Sequence, residues 1–202
     1  MLLLLSACSF GETTEQRLSN ILSDIYDLES DYRDVQADLA ETEIKEQTNF
    51  QSMMELTQDQ QDELAVQVED TAKILEERIA LVEKEKTSIE AAREKMEELT
   101  SLVDDTEDEA EKEGIKKVQN ALKKRYEAYD KLISEYDTLT ALQGDLYNML
   151  LDEEANIGTI QDQVEQVNKQ NEVVQQAVDN FNELTASLND VKQEAFTVLK
   201  DE

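Results

Sequence analysis

The sequence predicts an all-α fold: one elongated antiparallel up-and-down bundle of four long helices with coiled-coil-like seams. Three observations carry this. The 202 residues include no Pro and only four Gly, where average usage gives roughly ten and about 14. Strands and tight turns depend on those residues, so α/β and β-sandwich folds are hard to build. Charged residues make up 34% and aromatics 5%, which suits helices meeting along a narrow apolar stripe. Finally, apolar residues recur in steps of three and four over most of the chain.

The chain opens Met1-Leu2-Leu3-Leu4-Leu5-Ser6-Ala7-Cys8 and then turns polar. Leu5-Ser6-Ala7-Cys8 resembles a bacterial lipobox, in which small residues admit the chain to a narrow peptidase cleft. The resemblance implies that the Cys8 sulfur takes a diacylglycerol and becomes the first residue of the mature protein. Two or more acyl chains, each giving about 0.8 kcal/mol per buried CH₂, make a stable anchor. Residues 1–7 are therefore read as a signal-peptide remnant, 8–14 as lipidated Cys and short linker, and 15–202 as one bundle domain. No Lys or Arg precedes the apolar run, so the signal is expected to start upstream. No run of about 20 apolar residues is present for a transmembrane helix.

The first seam runs Leu18, Ile21/Leu22, Ile25, Leu28, Tyr32, Val35 and Leu39, weakens through Glu41–Asn49, and resumes at Phe50, Met53 and Met54. It predicts a helix over 15–56. Thr57-Gln58-Asp59-Gln60 fits a Thr-x-x-Gln capping box and places the first turn near 57, with Gln47–Asn49 a rival break. The second seam, Leu64, Val68, Leu75, Ile79, Val82, Ile89, Met96, Leu99 and Val103, predicts 58–103. Asp104–Gly114 has no large apolar residue and ends in Gly, so it reads as a solvated loop. A third seam from Ile115 to Leu150 predicts 115–152. After Asn156 and Gly158, a fourth from Ile160 to Val198 predicts 158–200. The spans have matched lengths of roughly 60–70 Å, as an up-and-down bundle needs. The alternative, an intermolecular parallel coiled coil, is disfavoured by the regular breaks, and a monomer is expected.

Composition limits chemistry severely. There is no His and one Cys, so imidazole catalysis, thiolate zinc sites and internal disulfides are absent. A formal charge of −30 opposes nucleic acid, where affinity comes from neutralising phosphates. The stretch Asp104–Glu113 carries seven acids and one Lys, but the EF-hand positions for Gly and bidentate Glu hold Glu109 and Ile115. No metal or cofactor is expected. No Ser has a His partner and no phosphate loop occurs, so no enzyme is predicted. Tyr126, Tyr129 and Tyr136 share a helical face; such a stripe can stack on sugars, but its spacing fits seam residues whose hydroxyls reach water. Lys116, Lys117, Lys123, Lys124, Arg125 and Lys131 form the only basic stretch. It is a candidate contact for a polyanion such as teichoic acid or lipid head groups, unless it only offsets neighbouring acids.

With lipobox, acidic Pro-free helices and length together, the chain resembles the YkyA-type family of cell-wall-binding lipoproteins of Gram-positive bacteria, over nearly its whole length. The resemblance implies an all-helical bundle on the outer face of the cytoplasmic membrane, lipid-anchored, with a role in binding cell wall or an envelope protein. Only Cys8 is carried over as a functional residue. Teichoic acids are polyanions, so contact with them would need bridging divalent cations or confinement to Lys116–Lys131. The alternatives are a secreted helical adhesin or toxin-like bundle, which would usually show a longer apolar hairpin, and an intracellular coiled-coil scaffold.

Overall fold

Helix α1 (Thr14–Leu28) starts where two side chains satisfy exposed backbone donors reciprocally. Thr13 Oγ1 accepts from the Gln16 N–H at 3.1 Å, and Gln16 Oε1 accepts from the Thr13 N–H at 3.1 Å. This capping box opens the first of four rods in the computed structural model, which describes residues 12–57, 59–152 and 154–200. The lipobox residues Leu5, Ser6, Ala7 and Cys8 lie outside the described residues.

The first rod continues through α2 (Ser30–Asp34) and α3 (Gln36–Met54). The second consists of α4 (Gln61–Met96) and α5 (Glu98–Asp105), the third of α6 (Glu109–Leu151), and the fourth of α7 (Ile157–Lys200). The rods alternate in direction. Arg17, near the start of the first, reaches Asp105 at the end of the second at 2.8 Å. Gln119 on α6 donates to Thr100 at 2.8 Å, and Gln163 on α7 donates to the Leu142 carbonyl at 2.8 Å. The predicted up-and-down bundle of four long rods is what the chain forms, and the first hairpin turns between 55 and 60 rather than near 48.

The first rod is interrupted at Glu29 and Val35, which no seam foretells. The cause of the break at Glu29 lies on another rod. The Ser88 hydroxyl of α4 donates to the Leu28 carbonyl at 2.6 Å and accepts from the Tyr32 N–H at 3.2 Å. Those two groups would otherwise bond to each other, so the hydroxyl sits inside the i→i−4 ladder and opens it. Leu28, expected in the seam, is 40% exposed, whereas Glu29 is 8% exposed.

The details of two expected connections are corrected. The Thr57 hydroxyl does not accept from the Gln60 N–H, which donates to the Thr57 carbonyl at 2.9 Å; the hydroxyl donates to Asp59 at 2.6 Å, the Gln60 side chain accepts from the Thr57 N–H, and α4 begins at Gln61. The acidic stretch is a helix start more than a loop. Asp108 caps α6 by accepting from Ala110 and Glu111, and Glu109 and Glu111 occupy the first turn, where negative charge meets the positive end of the helix dipole. Gly114 thus lies inside α6, packed on α7.

A Cβ added at Gly114 would meet Ala195 at 3.6 Å, ordinary van der Waals contact. Helix interiors favour Ala over Gly by about 0.8–1 kcal/mol. Gly114→Ala is therefore expected to raise the thermal midpoint by about 2–4 °C, measured by circular dichroism.

Apolar packing is concentrated at one end of the bundle. Leu18, Ile89, Leu99, Leu102, Ile115 and Leu122 are essentially inaccessible, each contributing about 1.5–3 kcal/mol through burial. Tyr32, Tyr129 and Phe181 close this core with ring centroids 5.7–6.3 Å apart. Toward the other end only Met53, Val68, Leu75 and Tyr147 form a second, small apolar cluster.

Candidate functional site

Between the two apolar clusters the seams carry charge. Arg78 of α4 is 3% exposed and Glu46 of α3 is 2% exposed. They pair at 2.6 Å, and the Tyr147 hydroxyl of α6 donates to the other Glu46 oxygen. Burial pushes the Glu46 carboxyl up, against the opposing effects of Arg78 and Tyr147. A second Arg78 nitrogen donates to Gln143, and its guanidinium lies 5.2 Å from the Tyr136 ring centroid. The Tyr136 hydroxyl donates to Glu43 at 2.8 Å. The Nε of Arg78 is buried and has no partner, an uncommon condition for a buried donor.

This layer forms the floor of a cleft. The first rod packs on α7 through α1, and farther along α3 diverges from it. One wall is α3, with Ile44, Gln47, Phe50 and Gln51; the opposite wall is α7, with Val164, Val167, Asn168, Asn171 and Gln175. The open volume is about 630 Å³, within the usual range for ligand sites. Ile44 is 64% exposed at its edge. The α7 wall holds its position because Gln163 and Gln170 donate to the α6 carbonyls of Leu142 and Glu135 at 2.8 and 2.9 Å.

A second ionic cluster sits in the apolar half. Glu29 accepts both Arg125 nitrogens, at 2.6 and 3.1 Å, and the Tyr126 hydroxyl at 2.9 Å. Arg125 Nε donates to Thr185 at 3.0 Å. Halfway between the two layers, Glu85 is buried without a cation partner among the described residues. Gln36 donates to it at 3.3 Å, and burial pushes its carboxyl up to about 7, against lowering by Tyr129 and Gln36.

The residues singled out from sequence separate accordingly. Arg125 is removed from the polyanion candidates, because it is 4% exposed and saturated by Glu29 and Thr185. Lys116, Lys117, Lys123, Lys124 and Lys131 are exposed. At about 100° per residue they fall in one sector about 120° wide, with Glu127 among them and 4.0 Å from Lys123. Tyr126 and Tyr129 are buried seam residues, but the Tyr126 hydroxyl meets a buried carboxylate rather than water; Tyr136 lines the cleft. Sequence reasoning missed Glu29, Glu46, Arg78 and Glu85. The available signal for Glu46 was its place on a seven-residue line with Leu18, Ile25, Tyr32, Leu39 and Met53; Arg78 and Glu85 share such a line with Ala92 and Leu99, and Glu29 stands on none.

The family described as "Putative cell-wall binding lipoprotein", YkyA, matches residues 13–197. The chain belongs to this family. "Uncharacterized lipoprotein YkyA" of Bacillus subtilis (strain 168) is 24% identical over 196 residues, covering 97% of this chain and 87% of that protein. The fold recurs in a conserved protein of unknown function from Staphylococcus aureus, known from a crystal structure at 1.6 Å. That match has a TM-score of 0.79 and 14% identity, covering 92% of this chain and 96% of the other. Family membership makes this a lipoprotein family bundle, and among the described residues no helix is long and apolar enough to cross a membrane.

Proposed function

We propose that this is a non-enzymatic lipoprotein, held on the outer face of the cytoplasmic membrane by a diacylglyceryl Cys8, whose bundle binds cell-wall polymer or an envelope protein. The observation that carries the reading is Leu5-Ser6-Ala7-Cys8 standing just ahead of a bundle matched from residue 13 by a lipoprotein family. The geometry supports it. The first rod starts six residues after Cys8, so an anchored bundle would stand off the bilayer; α6 alone, with 43 residues, is about 65 Å long. The cleft between α3 and α7 would then lie toward the wall, and the exposed lysines of α6 toward the anchored end. Those lysines are where an anionic polymer or lipid head group would be met.

Glu43 and Glu46 line the cleft, but Glu46 is paired with Arg78 and hydrogen-bonded by Tyr147. It is committed to structure, which argues against a general-acid role.

Mass spectrometry of the native protein tests the anchor. A diacylglyceryl Cys8 at the N-terminus is expected, with Cys8→Ser releasing the protein from the membrane fraction. An unmodified Met1 in membrane-free extract would overturn it. Pull-down on purified walls, with and without Mg²⁺, tests the binding partner.

A further inference from the structure

We infer that the cleft between α3 and α7 is the ligand site, and that its ligand is an uncharged N-acetylated saccharide chain. The inference rests on the wall-binding reading above and assigns it a place and a chemistry.

The cleft is elongated. Its lining runs from Ala40 to Gln51 on α3 and from Val164 to Val178 on α7, about 16 and 21 Å along the two helix axes. That shape accepts a short length of chain better than a compact metabolite. Primary amides face one another across it, Gln47 and Gln51 from α3, and Asn168, Asn171 and Gln175 from α7. Each amide both donates and accepts, as a ligand bearing hydroxyls and acetamides requires. Between the amides lie Ile44, Phe50, Val164 and Val167, apolar contacts for the C–H faces of pyranose rings and for acetamide methyls. Tyr136, Tyr147 and Arg78 contribute to the floor.

The electrostatics select against a polyanion. Arg78 is the one cation of the lining, and its Nη atoms are already held by Glu46 and Gln143. Glu43 and Glu46 leave the cleft slightly negative, inside a chain of charge −30. A phosphate polymer would find no counter-charge there, and a neutral glycan needs none.

The test is an NMR titration of the full chain carrying Cys8→Ser, with tetra-N-acetylchitotetraose as probe. Shifts confined to residues 40–51 and 164–178 are expected. Ile44→Ser combined with Asn171→Ala, both at exposed positions, should weaken binding about tenfold, while Lys116→Gln with Lys117→Gln leaves it unchanged. Helicity and melting temperature verify that the variants fold. The inference is overturned if the tetramer leaves the cleft unperturbed, or if the cleft variant binds as well as wild type. It is also overturned if a wall stem peptide without sugar, or a second copy of the chain seen by light scattering, occupies the cleft instead. Pull-down on walls stripped of teichoic acid separates the two readings. If walls bind while the tetramer misses the cleft, this inference falls alone; if neither binds, the wall-binding reading falls with it.

Discussion

Replacing Arg125 with methionine is expected to destabilise the bundle by about 3–5 kcal/mol, the usual effect of removing one partner from a buried ion pair. The damage comes from what stays behind. Glu29 would keep its buried position, with only the Tyr126 hydroxyl at 2.9 Å left among the donors that now satisfy it. Thr185 would lose its Arg125 donor, and the guanidinium 4.8 Å from the Phe181 ring centroid would go too. Lys192 places the effect toward the lower end: burial holds its pKa down, but the Glu29 charge acts on it, so it can supply part of the missing charge. Urea denaturation at neutral pH is the measurement. Arg17→Met, which breaks a pair exposed on both sides, should lie below about 1 kcal/mol. Glu29→Leu added to Arg125→Met should recover most of the loss, because no charge is then stranded. A single-variant loss as small as that of Arg17→Met would contradict the pairing.

The same ionic layers explain which parts of the structure were legible in the sequence. On α4, Val68, Leu75, Val82, Ile89 and Met96 stand seven apart and announce a seam. The companion line, Thr71, Arg78, Glu85, Ala92 and Leu99, is equally buried, but three of its members are polar. Reading for hydrophobicity replaces Arg78 by its neighbour Ile79, which is 41% exposed. On the first rod Leu18, Ile25, Tyr32, Leu39, Glu46 and Met53 also fall seven apart, so the weak signal after Leu39 marks a charged layer within a continuing seam. Holding the heptad phase strictly, instead of following apolar residues, would have found Glu46 and Arg78. The break at Glu29 lay beyond that method, since it is set by Ser88 on another rod. The cleft lay beyond it too, because divergence of α3 from α7 is a relation between rods. The four rods and their direction needed only periodicity and the scarcity of Gly and Pro, and the turn near 57 needed the Thr57–Gln60 capping signal as well.

Glu85 should make the bundle less stable as pH rises, and replacing it should remove that dependence. Its carboxyl is raised from the ordinary 4.5 to about 7, chiefly by burial, with the charge of Glu43 adding to the effect. The folded chain therefore binds this proton more tightly than the unfolded chain does. Between about pH 4.5 and 7 the native state holds the extra proton, so unfolding stability falls with rising pH through that window and levels off above it. The total is about 3 kcal/mol, from about 1.4 kcal/mol for each unit of displacement. The groups facing Glu85 permit the neutral form: Gln36 from the first rod, Tyr129 from α6 and Tyr32 beside Ser88 carry no charge at these values, and burial raises the pKa of both tyrosines. Glu85→Gln keeps the shape and cannot ionise. It should match wild type closely at pH 5 and exceed it by up to about 3 kcal/mol at pH 8. The chain's other carboxylates repel one another and add a slope of their own, so the informative quantity is the difference between variant and wild type at each pH. Glu83→Gln, at an exposed neighbour paired with Lys86 at 2.6 Å, provides the baseline for removing one carboxylate. If the Glu85→Gln difference were flat from pH 5 to 8, the buried carboxyl would have to be ionised throughout, held so by a cation that the packing around it does not supply.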